Sequence, residues 1–152
     1  SLGWGYYYQY YYDKAKQHFN KVLKNDAGNH DALLGLGTIA YVLGDFDGAI
    51  ALFNKVLPGI SPTAASWDKN SYMLENLGWC YYYKKEYDKS LELFKRLENY
   101  HPGIDYIAPI NGTGWCELMK GNKAEAQKLF QKSLKILPFN YSAETGMKAL
   151  AN

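Results

Sequence analysis

The sequence predicts an all-α protein, an array of about four similar helix pairs closed by a C-terminal capping helix. Three observations carry that expectation. Leu77-Gly78-Trp79-Cys80-Tyr81-Tyr82-Tyr83 repeats Leu2-Gly3-Trp4-Gly5-Tyr6-Tyr7-Tyr8 with six of seven residues identical, the mark of a chain assembled from copies of one unit. From each motif glycine a small residue follows after 12 positions (Gly3 to Ala15, Gly37 to Ala49, Gly78 to Ser90, Gly114 to Ala126), and four residues later comes Phe19, Phe53, Phe94 or Phe130. Apolar residues recur three and four apart, as in Leu33, Leu36, Ala40 and Leu43 and again in Ala49, Leu52, Phe53 and Val56, which is the period of helices with one buried face.

The phenylalanine spacings are 34, 41 and 36, so the unit is 34 residues with insertions of seven and two. The chain divides into units of approximately 1–29, 30–63, 71–104 and 107–140 within a single domain, with an insertion at 64–70 and a capping helix at 141–152. Inside a unit the two helices are separated at Gly44-Asp45 and at Gly121-Asn122, where glycine can take the left-handed conformation that ends a helix. The insertion opens with Pro58 and Pro62, and no helix breaker follows until Gly78. The first helix of the third unit is therefore expected to begin early, near Thr63 to Ser66, and to project about two turns beyond its neighbours. Phe139-Asn140-Tyr141-Ser142-Ala143 opens the capping helix, whose own face from Ser142 to Ala151 is small and weakly apolar. Because Ser1-Leu2-Gly3 already lies inside the repeated motif, the chain reads as cut from a longer protein.

This pattern resembles the tetratricopeptide repeat, whose period is 34 residues. Leu36-Gly37, Gly44, Phe46, Ala49 and Phe53 carry the likeness in the second unit, and Leu77-Gly78, Tyr81, Tyr87, Phe94 and Pro102 in the third. Leu2-Gly3, Tyr6, Tyr12, Ala15 and Phe19 carry it in the first, and Gly114, Gly121, Ala126, Phe130 and Pro138 in the fourth. Ala27 and Ser61 depart from it where a proline closes the unit, Ser90 replaces an alanine and Lys123 an aromatic residue. Glu117 stands on a predicted core stripe at the place of Tyr6, Ala40 and Tyr81, and is expected to reach solvent or to accept a hydrogen bond from a nearby tyrosine. The resemblance implies a right-handed α-α superhelix whose first helices line a concave surface.

Composition removes several function classes. Lys+Arg 17 against Asp+Glu 15 leaves a formal net charge of +2, without the basic excess that nucleic acid or an anionic membrane surface would require. No apolar run is long enough to span a bilayer, so no direct membrane insertion is expected. Cys80 and Cys116 occupy equivalent places and read as small buried fillers, with no disulfide framework, metal site or cofactor implied. His18, His30 and His101 are scattered over different units and read as lone surface residues. Gly35-Leu36-Gly37-Thr38-Ile39-Ala40 spells a dinucleotide fingerprint, but no strand precedes it. No acid, base or nucleophile constellation is visible, and the chain is not expected to be an enzyme.

The surplus lies in the rings: 15 Tyr, 6 Phe and 4 Trp make 16% of the chain aromatic. On a helical wheel, Leu74, Leu77, Gly78 and Tyr81 form the stripe that meets the second helix of the third unit. A second stripe, Tyr72, Glu75 or Asn76, Trp79 and Tyr82 or Tyr83, faces elsewhere. Its counterparts are Trp4, Tyr7 and Tyr8 in the first unit, Asp31, Leu34, Thr38 and Tyr41 in the second, and Ala108, Asn111, Trp115, Leu118 and Met119 in the fourth. If first helices line the concave surface, a groove of Trp4, Tyr7, Tyr8, Tyr41, Tyr72, Asn76, Trp79, Tyr82, Tyr83, Asn111, Trp115 and Met119 is expected to hold a peptide or protein segment, since aromatic anchors dominate interface energetics. Relatives that clamp a terminal carboxylate use lysine, arginine and asparagine at places that fall here on Leu34, Thr38, Asn76, Ala108 and Gly112; only Asn76 conforms, which argues against that ligand. The alternatives are homo-oligomerisation through the ends of the array, and carbohydrate or small-ligand binding by stacking on the tryptophans. The lysines of the second helices (Lys14, Lys16, Lys21 and Lys24; Lys123, Lys128, Lys132 and Lys135) form a solvated outer face.

Overall fold

The computed structural model describes residues 1–64, 68–103 and 105–152. Among these residues every regular element is a helix, and no helix is long and apolar enough to cross a membrane. The chain forms two compact units, Ser1–Ser61 and Pro62–Asn152.

The first unit holds α1 (Leu2–Tyr8), α2 (Tyr12–Asn25), α3 (His30–Val42) and α4 (Phe46–Val56), closed by a 3₁₀ turn over Leu57–Gly59. The second holds α5 (Lys69–Tyr83), α6 (Tyr87–Tyr100), α7 (Ile107–Met119), α8 (Lys123–Ile136) and α9 (Tyr141–Ala151). Each odd-numbered helix from α1 to α7 packs on the even one after it, and α3, α7 and α9 also pack on the even one before.

The buried phenylalanines explain why glycine recurs. Phe19 lies between Gly3 on α1 and Gly35 on α3, and a methyl group built on either glycine would stand 2.5 or 2.3 Å from its ring. Phe94 is held in the same way by Gly78 and Gly112, and Phe130 by Gly114 and Gly146. One ring thus fastens its own pair and the next first helix, a contact that side chains would block. Ala15, Ala49, Ser90 and Ala126 are fully buried one turn before these rings, keeping the helices close. Ser90 is accommodated because its hydroxyl donates to the Gly78 carbonyl at 2.7 Å and accepts from the Cys116 thiol at 3.2 Å. Cys80 and Cys116 are buried as expected, and burial pushes the Cys116 thiol up to about 11.

Between the helices of every pair, the seventh residue after the motif glycine takes a left-handed conformation. Gly44 (φ 81°) and Gly121 (φ 86°) do so at little steric cost, whereas Tyr10 (φ 62°) and Lys85 (φ 61°) carry a Cβ into the same turn.

Two local expectations are corrected. The helix of the third unit does not begin near Thr63 to Ser66: Thr63 and Ala64 are non-helical, residues 65–67 lie outside the described residues, and α5 starts at Lys69. The physical reason is a competing set of bonds. The Ala64 N–H donates to the Tyr100 carbonyl at 2.7 Å, and Asp68, extended at φ −142° and ψ 177°, caps α5 by accepting from the Ser71 N–H at 3.1 Å. For Glu117 the solvent alternative holds and the tyrosine one is corrected: in an exposed bond it accepts from Asn122 Nδ2 at 2.6 Å, across the turn that follows its own helix.

Candidate binding face

The tryptophans are built into the repeat. Trp4 meets Phe19 edge-on at 5.7 Å between ring centroids, Trp79 meets Phe94 at 5.2 Å and Trp115 meets Phe130 at 5.5 Å. Around the first two, the same four-ring cluster forms twice on top of the phenylalanine: Trp4 with Tyr7, Tyr8 and, through Tyr7, Tyr12; and Trp79 with Tyr82, Tyr83 and, through Tyr82, Tyr87. Spacings of three and four residues put the first three rings of each set on one helix face, and the fourth comes from the start of the second helix. Edge-to-face pairs add about 0.5–1.5 kcal/mol each beyond area burial, so these rings stabilise the pair before any partner arrives.

Two of the indole N–H groups are already engaged. Trp4 Nε1 donates to Asp31 Oδ1 at 2.7 Å and Trp115 Nε1 to Ser142 Oγ at 3.0 Å. Both bonds link a helix pair to the next first helix at the same spacing of 27 residues. In the third unit Glu75, four residues before Trp79 on the same helix, accepts from the Tyr106 hydroxyl at 3.0 Å. Trp4 and Trp115 can offer a ligand ring surface but no donor.

The expected groove residues therefore separate. Trp4 (7% exposed) and Asn111 (4%) are interior, and Asn111 Nδ2 donates to Asn140 Oδ1 at 3.1 Å, steadying the residue that caps α9. Tyr7 and Tyr82 are half-buried between tryptophan and tyrosine; burial raises both hydroxyls, Tyr82 to about 12. Tyr41 is half-buried against Phe46 at 6.2 Å, and Asn76, Trp79 and Trp115 keep partial exposure. Four of the expected residues remain open: Tyr8 (69%), Tyr72 (55%), Tyr83 (54%) and Met119 (50%). Val42, 45% exposed, escaped the sequence reading. Its signal was available, because Tyr8, Val42, Tyr83 and Met119 are each the fifth residue after a motif glycine. The first unit thus presents Tyr8 and Val42 at one register place of its first helices, and the second presents Tyr83 and Met119 at the same place.

One group imitates a catalytic site. Ser71 Oγ lies 2.6 Å from His101 Nε2, with Asp68 Oδ1 3.3 Å from the same hydroxyl, so His101 is an interior residue and not a surface one. Ser71 is fully buried and His101 2% exposed, which leaves a substrate no approach. Asp68 faces the serine and not the imidazole, the reverse of the order in which a carboxylate orients a base. The group ties Asp68 and the start of α5 to the end of α6, with the Tyr100 hydroxyl donating to Asp68 Oδ2 at 2.8 Å.

Two family models, each described as tetratricopeptide repeat, match residues 1–65 and 72–103. The chain belongs to the tetratricopeptide repeat family. Members generally serve as non-catalytic scaffolds for protein–protein interaction. Among curated relatives, BBSome complex member BBS4 of Bos taurus is 28% identical over 100 residues; these are 66% of this chain but 17% of that protein. Among solved structures, the APC/C hetero-tetramer Cut9–Hcn1 superposes with a TM-score of 0.84 at 19% identity, covering 99% of this chain and 29% of that one. The second tetratricopeptide repeat domain of human RPAP3, solved with the HSP70 peptide SGPTIEEVD, gives a TM-score of 0.63 at 16% identity over 76% of this chain and 89% of that domain. At these identities the solved structures establish the fold. In that fold the motif glycines, the phenylalanines and the left-handed turns hold the tetratricopeptide repeat pairs together, and the exposed register column is left over.

Proposed function

We propose that the chain is a scaffold that captures a peptide segment of another protein on the first-helix face, in the second unit through Tyr72, Trp79, Tyr83, Trp115 and Met119. The observation that carries this reading is the exposed apolar column. Large apolar side chains occur at the fifth place after each motif glycine, half exposed or nearly so, even where, as at Tyr8 and Tyr83, one side of the ring rests on the tryptophan cluster. Tryptophan supplies a rigid floor, fixed by phenylalanine below and, at Trp115, by its own hydrogen bond, and a rigid floor lowers the ordering cost of binding. The solved relatives add support: one is a hetero-tetramer, and another was solved with a bound peptide.

The test is selection of a random peptide library on the wild-type chain, followed by titration of the selected peptides against Tyr83→Ala/Met119→Ala. Tyr83 gives up its ring contacts with Trp79 and Tyr82, so the melting temperature should fall modestly, and affinity measured well below it should fall by about tenfold or more. Peptides that bind the double variant as tightly as the wild type would refute the reading.

A further inference from the structure

Glu75 is a carboxylate in an aromatic setting. It sits on α5 in the same stripe as Tyr72, Trp79 and Tyr83, three residues after the first and four before the second. Tyr106, which precedes α7, donates to its Oε2 at 3.0 Å, Trp79 lies one helical turn on and close enough to lower the pKa of its carboxyl, and the Tyr72 hydroxyl is near enough to Tyr106 to raise that residue's pKa. Among the described residues its neighbours are these neutral rings, and no lysine or arginine lies against it. The first-helix stripes carry two carboxylates, Asp31 in the first unit and Glu75 in the second, and no basic residue at the corresponding places. The lysines lie mainly on the second helices.

A half-buried carboxylate surrounded by ring faces attracts a cation in two ways. The negative charge is poorly compensated and partly desolvated, and tyrosine and tryptophan faces attract a cation through their quadrupoles. We propose that the peptide bound on the first-helix face carries a lysine or arginine that docks on Glu75 between Tyr72, Trp79 and Tyr106. This rests on the peptide-capture reading and assigns its specificity. The same arrangement explains why a terminal carboxylate is the wrong ligand here: it would meet Glu75 with a like charge.

The experiment uses the whole chain and immobilised peptide pools with degenerate apolar and aromatic flanks and one fixed central residue, lysine, arginine, norleucine or glutamate. On the wild type, the lysine and arginine pools should bind about tenfold more tightly than norleucine, and glutamate should bind least. Glu75→Gln keeps an acceptor for Tyr106 but no charge, so the preference for a cation should shrink to about twofold or less while norleucine binding is retained. An equal response to lysine and norleucine on the wild type, or a preference that survives in Glu75→Gln, overturns the assignment of Glu75 and leaves peptide capture standing. Tyr83→Ala should weaken every pool; if it weakens none, the capture reading fails first. Binding of no pool overturns both. Should the wild type self-associate in sedimentation and Glu75→Gln dissolve the dimer, the occupant is a second copy of the chain, and the peptide assignment falls.

Discussion

At the scale of single residues, an aromatic stripe on a helical wheel separates into rings that build the repeat and rings that are left over. Direction on the wheel was legible in the sequence, and it placed Trp4, Trp79 and Trp115 correctly outside the Leu-Gly stripe. How far a ring leans back was not legible, because that depends on the phenylalanine 15 residues later and, for Trp4 and Trp115, on an acceptor in another helix. Favouring aromatic residues also led to Tyr41, which rests on Phe46, in place of its exposed neighbour Val42. Glu75 lay in the expected stripe, but only its bond from Tyr106 and its place beside Trp79 distinguish it from a solvated glutamate. Burial raises its pKa against the lowering effect of Tyr106 and Trp79. A carboxyl whose pKa is higher folded than unfolded holds its proton more tightly in the folded state, so its contribution to stability increases as pH falls through that interval and becomes unfavourable above it. Glu75→Gln should therefore melt higher than the wild type at neutral pH, and the advantage should fade on acidification towards the ordinary carboxyl range. Melting curves across that range check the sign; a wild type that is the more stable at neutral pH would contradict it.

At the scale of helices, most boundaries follow from glycine and phenylalanine spacing, and the one clear miss came from tertiary bonds. Nothing local forbids helix after Pro62, yet Asp68 caps α5 and the Ala64 N–H is claimed by the end of α6. The turns within pairs show the converse, a rule stricter than the sequence shows: Lys85 must adopt a conformation that glycine takes in Gly44 and Gly121. Lys85→Gly should raise stability by about 0.5–1 kcal/mol, the relief of left-handed strain exceeding the added freedom of the unfolded chain. Denaturant titration measures it, and a loss of similar size would mean that the lysine stem contributes more than its backbone costs. The glycines of the phenylalanine contacts should behave oppositely to one another according to space. Gly112→Ala would place a methyl group 2.3 Å from the Phe94 ring and should cost about 1–3 kcal/mol. Gly5→Ala, within α1 and with nothing within 4 Å, should be neutral or stabilise by up to about 1 kcal/mol. Equal effects at the two sites would mean that helix propensity, and not the ring contact, maintains the motif.

At the scale of the whole chain, a repeat array is stabilised by neighbours, so stability should vary with how many helices each element touches. In the first unit, α3 packs on α1, α2 and α4, whereas α1 is seven residues long and packs on α2 and α3. In the second, α7 is flanked by α5, α6, α8 and α9, whereas α9 rests on α7 and α8 with Ala143 and Gly146 as its buried residues. The small face of α9 matches its task, because Gly146 lets it close over Phe130, and the Met147 and Leu150 side chains pack against that same cluster. Native-state hydrogen exchange should follow this order, with interior amides of α3 at least about tenfold slower than those of α1, and those of α7 slower than those of α9 by a similar factor. The expectation has a functional corollary. The exposed column stands at the C-terminal ends of first helices, and Tyr83 and Met119 lie on α5 and α7, each locked by a phenylalanine that a neighbouring glycine receives. By the same rule α7 is well protected and its part of the face is held ready, so a bound peptide should slow exchange little there, whereas α5, which packs on α6 and α7, should gain protection on binding. If α1 and α9 proved as protected as α3 and α7, nearest-neighbour packing would not be what holds the array. If α7 became protected only on binding the selected peptide, the face would be formed by its ligand and not presented to it.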